Sequence, residues 1–244
     1  MLFLLRKIRR KLISENQVST YLLYAIGEII LVVVGILIAV NIDDLNEETR
    51  LKRIEHTLLS EMYVNLQNDK TDLTANVTLC QNSLTSSYRV LDHLSGQDMQ
   101  ADSILYYYGN LWGTTVFTVN MSAYENLKSL GLQVISSNEL RKMITNHYAE
   151  GYGYLLRVEA MDAEFLIHQL TPQMNKHLIT TDDYDKIHHY AKPVNFDELR
   201  SSNEFKETLK KSIIMDRLLI NTYQKSISSI DSILKKINFH LQIE

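Results

Sequence analysis

The sequence predicts an all-α chain, an N-terminal transmembrane helix that continues into an antiparallel bundle of long helices, in its simplest form a four-helix bundle. Three observations predict it. Residues 21–40, YLLYAIGEIILVVVGILIAV, are apolar apart from Glu28, and roughly 20 residues at about 1.5 Å each cover a hydrocarbon core of about 30 Å. Leu51, Ile54, Leu58, Met62, Leu66, Leu73, Val77, Cys80, Leu84, Leu91 and Leu94 then keep a three-four spacing with few breakers, the mark of one apolar helix face. Near the other end, Phe205, Leu209, Ile213, Ile220, Tyr223, Ile227, Ile230, Leu234, Ile237 and Leu241 recur in heptad-like order, uninterrupted by Gly or Pro.

The chain divides accordingly into a basic amphipathic segment (1–19), a membrane helix (20–42) and a helical bundle (43–244) long enough for a single buried core. In the first segment Leu4, Leu5, Ile8, Leu12 and Ile13 fall at helical spacing, with Arg6, Lys7, Arg9, Arg10 and Lys11 between them. Such a helix lies in the headgroup region with its cations on an anionic lipid surface. The net charge of −4 says less than its distribution. The basic cluster precedes the apolar run, and Asp43, Asp44, Glu47 and Glu48 follow it. The positive-inside rule then keeps the N-terminus cytoplasmic and sends the large C-terminal part across, a bias that Arg50, Lys52 and Arg53 weaken. A cleaved signal peptide is the competing reading. The apolar run exceeds an h-region of about 7–15 residues and no small-x-small site ends it, so a retained helix is expected.

Within the span, Tyr24, Glu28, Gly35 and Ala39 fall in one stripe of a helix turning about 100° per residue. Gly35 and Ala39 are a small-xxx-small pair, which lets two helix backbones approach closely in lipid. An unpaired carboxyl facing lipid is costly. Three readings of Glu28 stay open: contact with another helix, a carboxyl that is protonated or reaches interfacial water, and a proton or ion path. With one span in the chain, a helix partner would be a second copy or another membrane protein.

The outer helix is expected to stop at Ser95-Gly96. Residues 101–111 are aromatic-rich, and TTVFTV has strand-like composition but is too short and isolated to build a sheet. Ser122 with Glu125 reads as a capping box opening a short helix that Gly131 closes. A longer helix is expected over 138–170, with Leu140, Ile144, Tyr148, Leu155, Phe165 and Leu170 inward and an irregularity at Gly151 and Gly153. Residues 171–200, with Pro172 and Pro193, read as a loop-rich connection before the last helix at 204–241. Whether the broken element around 101–131 descends, and so where the final helix ends, is left open.

Chemistry is sparse. There is no P-loop, GxGxxG, GxSxG, HExxH or CxxC pattern, so no enzyme and no cofactor are expected. Asp182, Asp183, Asp185, His188 and His189 lack the glycine and the spacing of a metal loop and read as a solvated acidic loop; no metal is expected. Cys80, the sole cysteine, reads as a small core residue. Tyr106, Tyr107, Tyr108, Trp112, Tyr148, Tyr152 and Tyr154 either fill an irregular bundle end or, through Tyr108, Trp112, Tyr148 and Tyr152, line a ligand pocket. No concentrated basic face exists outside the N-terminal patch, so nucleic acid is not an expected partner.

The run ENQVSTYLLYAIGEIILVVVGILIAVNIDDLNEE, residues 15–48, resembles the N-terminal signature of an uncharacterised family of Bacteroidota membrane proteins, with a YxLYAIGEI-x-LVxxGILIA span. Tyr24, Ala25, Ile26, Gly27, Glu28, Ile29, Gly35, Ile36, Leu37, Ile38 and Ala39 carry the match; Leu45 departs from it, where the family pattern has Trp. YENLKSLGLQVISSNELRKMITNHYA, residues 124–149, is similar to the family's middle region. The resemblance implies a bacterial inner-membrane protein with its bundle in the periplasm, and no activity to transfer. Asp102-Ser103-Ile104 and Asp231-Ser232-Ile233 are similar to the short sites at which such bacteria O-glycosylate exported proteins. The expected function is a non-enzymatic scaffold or interaction protein, self-associating or partnering through its membrane helix. The alternatives are a periplasmic sensor or ligand-binding module and an ion-conducting, stator-like component using Glu28.

Overall fold

The computed structural model describes residues 18–181 and 190–242. The basic segment with Arg6, Lys7, Arg9, Arg10 and Lys11, and the acidic run Asp182 to His189, lie outside the described residues. The chain falls into two units, 1–54 and 55–244, and helix α1, Val18–Leu94, contributes to both.

In the first unit α1 is the regular structure described. Its last turns in this unit carry exposed ion pairs, Arg50 with Glu47 at 2.6 Å and Lys52 with Glu48 at 2.7 Å. Pairs this exposed contribute little.

In the second unit α1 stops where Gly96 takes a positive φ of 100°. Gln97 N–H then bonds back to Asp92 C=O at 3.1 Å and Gly96 N–H to His93 C=O at 3.0 Å. This is a Schellman stop, which favours a residue without Cβ. Helix α2 (Ala101–Gly109), an irregular segment 110–121 and α3 (Ser122–Leu130) follow. After a 3-10 turn at Leu132–Val134 comes one continuous rod: α4 (Asn138–Asn146), a π segment His147–Gly151, α5 (Tyr152–Phe165), a second π segment Leu166–Leu170, and α6 (Thr171–His177). Strands β1 (Leu178–Thr180) and β2 (Ala191–Pro193) pair antiparallel with Leu178 opposite Pro193. The short helix α7 (Phe196–Ser201) leads into α8 (Asn203–Leu241), capped by the Ser202 hydroxyl accepting from Phe205 N–H at 3.2 Å.

The packing is that of the predicted antiparallel all-α bundle. Going down α1, Tyr108 meets His93, Thr115 meets Cys80, Asn120 meets Asp69 and Ser136 meets Glu55. The broken element therefore descends beside α1. The rod then climbs parallel to α1, Tyr152 bonding Asp69. Helix α8 runs back against both: Arg217 reaches Tyr88, Asp231 reaches Lys70, and His240 reaches Glu55. That settles the parity the sequence leaves open, since the last turn of α8 returns to the level of Glu55.

Two expectations are corrected. The loop-rich connection expected from 171 does not begin there: the rod continues through Pro172, which sits in the first turn of α6, to His177. Proline lacks an N–H and its ring crowds the carbonyl four residues back. The π segment immediately before it widens the backbone there, so the helix continues instead of breaking. The capping box at Ser122 and Glu125 does not form either. Ser122 is already the first helical residue, with no side-chain cap bond from Met121 before it. The Asn120 side chain accepts from Ser122 N–H at 3.4 Å, and Asn65 donates to the Ser122 hydroxyl at 2.9 Å.

Segment 110–121 shows where the strand-like TTVFTV sends its donors. Phe117 N–H goes to Glu159 at 2.9 Å, Thr118 N–H to Asp72 at 3.4 Å and Asn120 N–H to Asp69 at 3.3 Å. Carboxylates of two helices thus replace the neighbouring strand that buried amides otherwise need. The segment lies close to α1 at Gly113, where an added Cβ would stand 2.5 Å from Ser83 Cβ. Gly113→Ala is therefore expected to lose about 1–3 kcal/mol of stability, the usual range for overpacking. Adding Ser83→Gly should restore more of it than Ser83→Ala, because the closer clash is with Cβ and Oγ stands at 2.9 Å. Urea midpoints of the three variants check this.

Candidate functional site

The first candidate is the surface of α1 in the first unit. Residues 26–40 are all exposed, and the large apolar side chains among them include Ile29 at 63%, Leu31 at 74% and Leu37 at 62%. Among the described residues this is the one helix long and apolar enough to cross a membrane, and none of its apolar window is buried. That separates it from the core helix of a soluble protein. Glu28, Gly35 and Ala39 are exposed on it, and a Cβ placed on Gly35 would meet nothing within 4 Å. The side chain of Tyr24 lies outside the described residues. Exposed apolar patches of large extent generally mark sites of contact with lipid or protein.

The aromatic candidates are not brought to one place. Tyr108 is fully buried in a distal core with Val90, Leu94, Leu111, Phe205 and Leu209, and Trp112 packs half-buried against that core. The Tyr108 hydroxyl lies 3.1 Å from His93 Nδ1. Tyr148 and Tyr152 belong to a second cluster: Tyr148 stacks on Tyr124 at 4.5 Å and 6°, and Tyr152 packs edge-on to Tyr148 at 5.3 Å. A cavity of about 500 Å³ does open at the first π segment. His147, Glu150, Tyr154, Lys225 and Ser229 line it, with His147 Nδ1 3.0 Å from the Ser229 hydroxyl. None of the four aromatic candidates is among its lining residues. Ser103 and Ser232, in the two Asp-Ser-Ile sites, both sit inside helices, α2 and α8, with exposed side chains.

A feature the sequence reading missed is a layer of polar groups through the bundle core. Helix α1 contributes Asp69, Asn76, Ser83, Ser86 and Ser87, α5 contributes Asp162, and α8 contributes Ser212, Asp216, Thr222 and Ser226, all buried. The signal was present: Asp69, Asn76 and Ser83 are spaced seven apart, the same period as the apolar face they interrupt.

Asp69 of the layer and the half-buried Glu159 are well supplied with donors. The Tyr152 hydroxyl donates to Asp69 at 2.6 Å. Glu159 receives the Tyr223 hydroxyl at 2.6 Å and Phe117 N–H at 2.9 Å. Because Tyr223 gives its proton to Glu159, Thr115, 2.7 Å away, must donate to Tyr223. The Cys80 thiol, 4.0 Å from Thr115, stands at the far end of this chain. Burial, reinforced by the charge of Asp216, pushes that thiol up to about 12. It is a core residue and not a nucleophile at neutral pH. Burial also raises Asp69 and Glu159, with their hydrogen bonds pulling the other way. Asp162 and Asp216 are less well served: burial lifts Asp162 to about 6 and Asp216 to about 7. Among the described residues no group of three or more His, Cys, Asp or Glu is arranged to hold a metal ion.

Residues 28–171, more than half of the chain, match the family of unknown function DUF6090. No curated protein matches, and neither does any solved structure.

Proposed function

We propose that this chain, which belongs to the family of unknown function DUF6090, is a non-enzymatic, single-pass membrane protein that associates through its apolar helix and holds a helical bundle as a scaffold for partners. The observation that carries the reading is the unburied apolar surface of α1 with Glu28, Gly35 and Ala39 on it. A lone helix in lipid leaves a carboxyl and a close-packing face without a partner. A second copy of the chain supplies both, with carboxyl meeting carboxyl through a shared proton or through backbone. The basic cluster before the helix favours a cytoplasmic N-terminus, and with it an inner-membrane protein whose bundle is periplasmic.

Mass measurement of the full chain in detergent tests the association. The wild type is expected as an oligomer and Gly35→Leu/Ala39→Leu as a single chain, because leucines at both positions hold the backbones apart. Glu28→Gln should remain associated, since the amide still hydrogen-bonds. A monomeric wild type, or a double variant that stays oligomeric, removes the reading.

A further inference from the structure

Inside the second unit Asp162 and Asp216 lack what Asp69 and Glu159 have. They lie on helices α5 and α8, which pack together, and are 6% and 3% exposed. Ser83 on α1 hydrogen-bonds to Asp216, but Asp216 Oδ2 has no partner. On the next turn of α1 the hydroxyls of Ser86 and Ser87, both fully buried, are also without partners. The charge of Asp162 acts on Asp216 and that of Glu159 on Asp162. The charges of both also act on Cys80 on α1. Among the described residues no cation is one of the groups shifting either carboxyl. Like charges in a buried layer without a counter-ion are expensive.

We propose that Asp162 and Asp216 form a proton-operated clamp. With a proton on each, α5 and α8 close over a neutral layer; when the protons leave for solvent, two like charges stand between the helices and loosen that level of the bundle. Helix surfaces that close in mildly acidic surroundings and relax in alkaline ones give the bundle two states for a partner to distinguish.

The sign follows from where the protons sit. Both carboxyls hold protons in the folded chain that they would release if unfolded, so their contribution is favourable at low pH. It declines as pH rises from the ordinary carboxylate range through about 6 for Asp162 and about 7 for Asp216. Buried histidines pull the other way: burial holds His147 down to about 4 and also lowers His93 and His177. A wild-type pH profile alone therefore mixes both effects, and the informative quantity is the gap between variant and wild type.

The test is thermal unfolding of the full chain in detergent, followed by Trp112 fluorescence and near-ultraviolet circular dichroism, for wild type, Asp216→Asn and Asp162→Asn. At pH 5 each variant should exceed wild type by clearly less than at pH 8, since asparagine imitates the protonated acid and the gap widens as pH rises from the ordinary carboxylate range. At pH 8 Asp216→Asn should melt about 5–15 °C higher than wild type and Asp162→Asn should shift in the same direction by less. A gap that is the same at both pH values overturns the clamp. So does saturable stabilisation of the wild type at pH 8 by sodium, potassium or calcium that Asp216→Asn loses, which would make the layer a cation site. If Asp216→Asn does not fold, the pH dependence of the Asp162→Asn gap decides alone.

Discussion

Tyr152→Ala is expected to destabilise the bundle by about 4–5 kcal/mol, at the upper end of what removing a buried aromatic ring costs. Tyr152 is 1% exposed. Its ring touches Phe117 at 5.2 Å, His147 at 4.3 Å and Tyr148 at 5.3 Å, so the cavity would open among three other rings. Its hydroxyl is one of two donors that reach Asp69 from outside α1. Tyr152→Phe keeps the ring and removes only that donor, and is expected to cost about 1–3 kcal/mol. Part of that loss is recoverable: burial already raises Asp69, and a protonated Asp69 no longer needs the phenol. The cost of Tyr152→Phe should therefore shrink in acid, where Asp69 takes up its proton, and denaturant unfolding at two pH values measures it. An aromatic residue that merely lined an open ligand pocket would tolerate alanine within about 1 kcal/mol. Such a result would return Tyr152 to the list of ligand-binding candidates.

The contrast explains what could be read from the sequence. Apolar periodicity carried the long elements. Leu58, Met62, Leu66, Leu73, Val77, Cys80 and Leu94 are buried as their spacing demands, and so are Leu140, Ile144, Tyr148, Leu155, Phe165 and Leu170 on the rod. On α8 the heptad reading was good only in part. Ile220, Ile227 and Leu234 are half-buried, while Leu219 and Ile233 take core positions, because a straight helix of 3.6 residues per turn drifts against a seven-residue repeat. The rod's passage through Pro172 was not legible, since proline usually ends a helix and only the wider π backbone permits it here. The polar layer was hidden for another reason. Residues such as Asp216 and Asp162 are ordinarily solvated, so a carboxylate on a helix is read as outward-facing unless its partners are known. The hydrogen-bond partner of Asp216, Ser83, comes from a distant part of the chain.

The same dependence on distant partners makes Glu55 the second position of large expected effect. Its Oε1 accepts from Ser136 N–H at 2.8 Å and from the Ser136 hydroxyl at 3.0 Å, and lies 2.8 Å from His240 Nε2. Ser136 directly precedes Ser137, whose hydroxyl caps α4 by accepting from Leu140 N–H at 3.3 Å. His240 is in the last turn of α8. One carboxylate oxygen, on a residue 6% exposed, therefore holds the start of the rod and the end of α8 against α1. Glu55→Ala leaves the N–H and hydroxyl of the exposed Ser136 to water in place of a carboxylate, and is expected to lose about 1.5–3 kcal/mol, the range for hydrogen bonds to a charged group. Glu55→Gln retains an oxygen at that position and should lose clearly less. A double cycle with His240→Ala apportions the effect: coupling of about 0.5–3 kcal/mol is expected if His240 and Ser136 depend on the same oxygen. Amide exchange supplies the local readout. Ser136 and the first turn of α4 should exchange faster in Glu55→Ala while the amides around Tyr108 in the distal core stay protected, and uniform exchange throughout the bundle would show that Glu55 does not anchor these ends in particular.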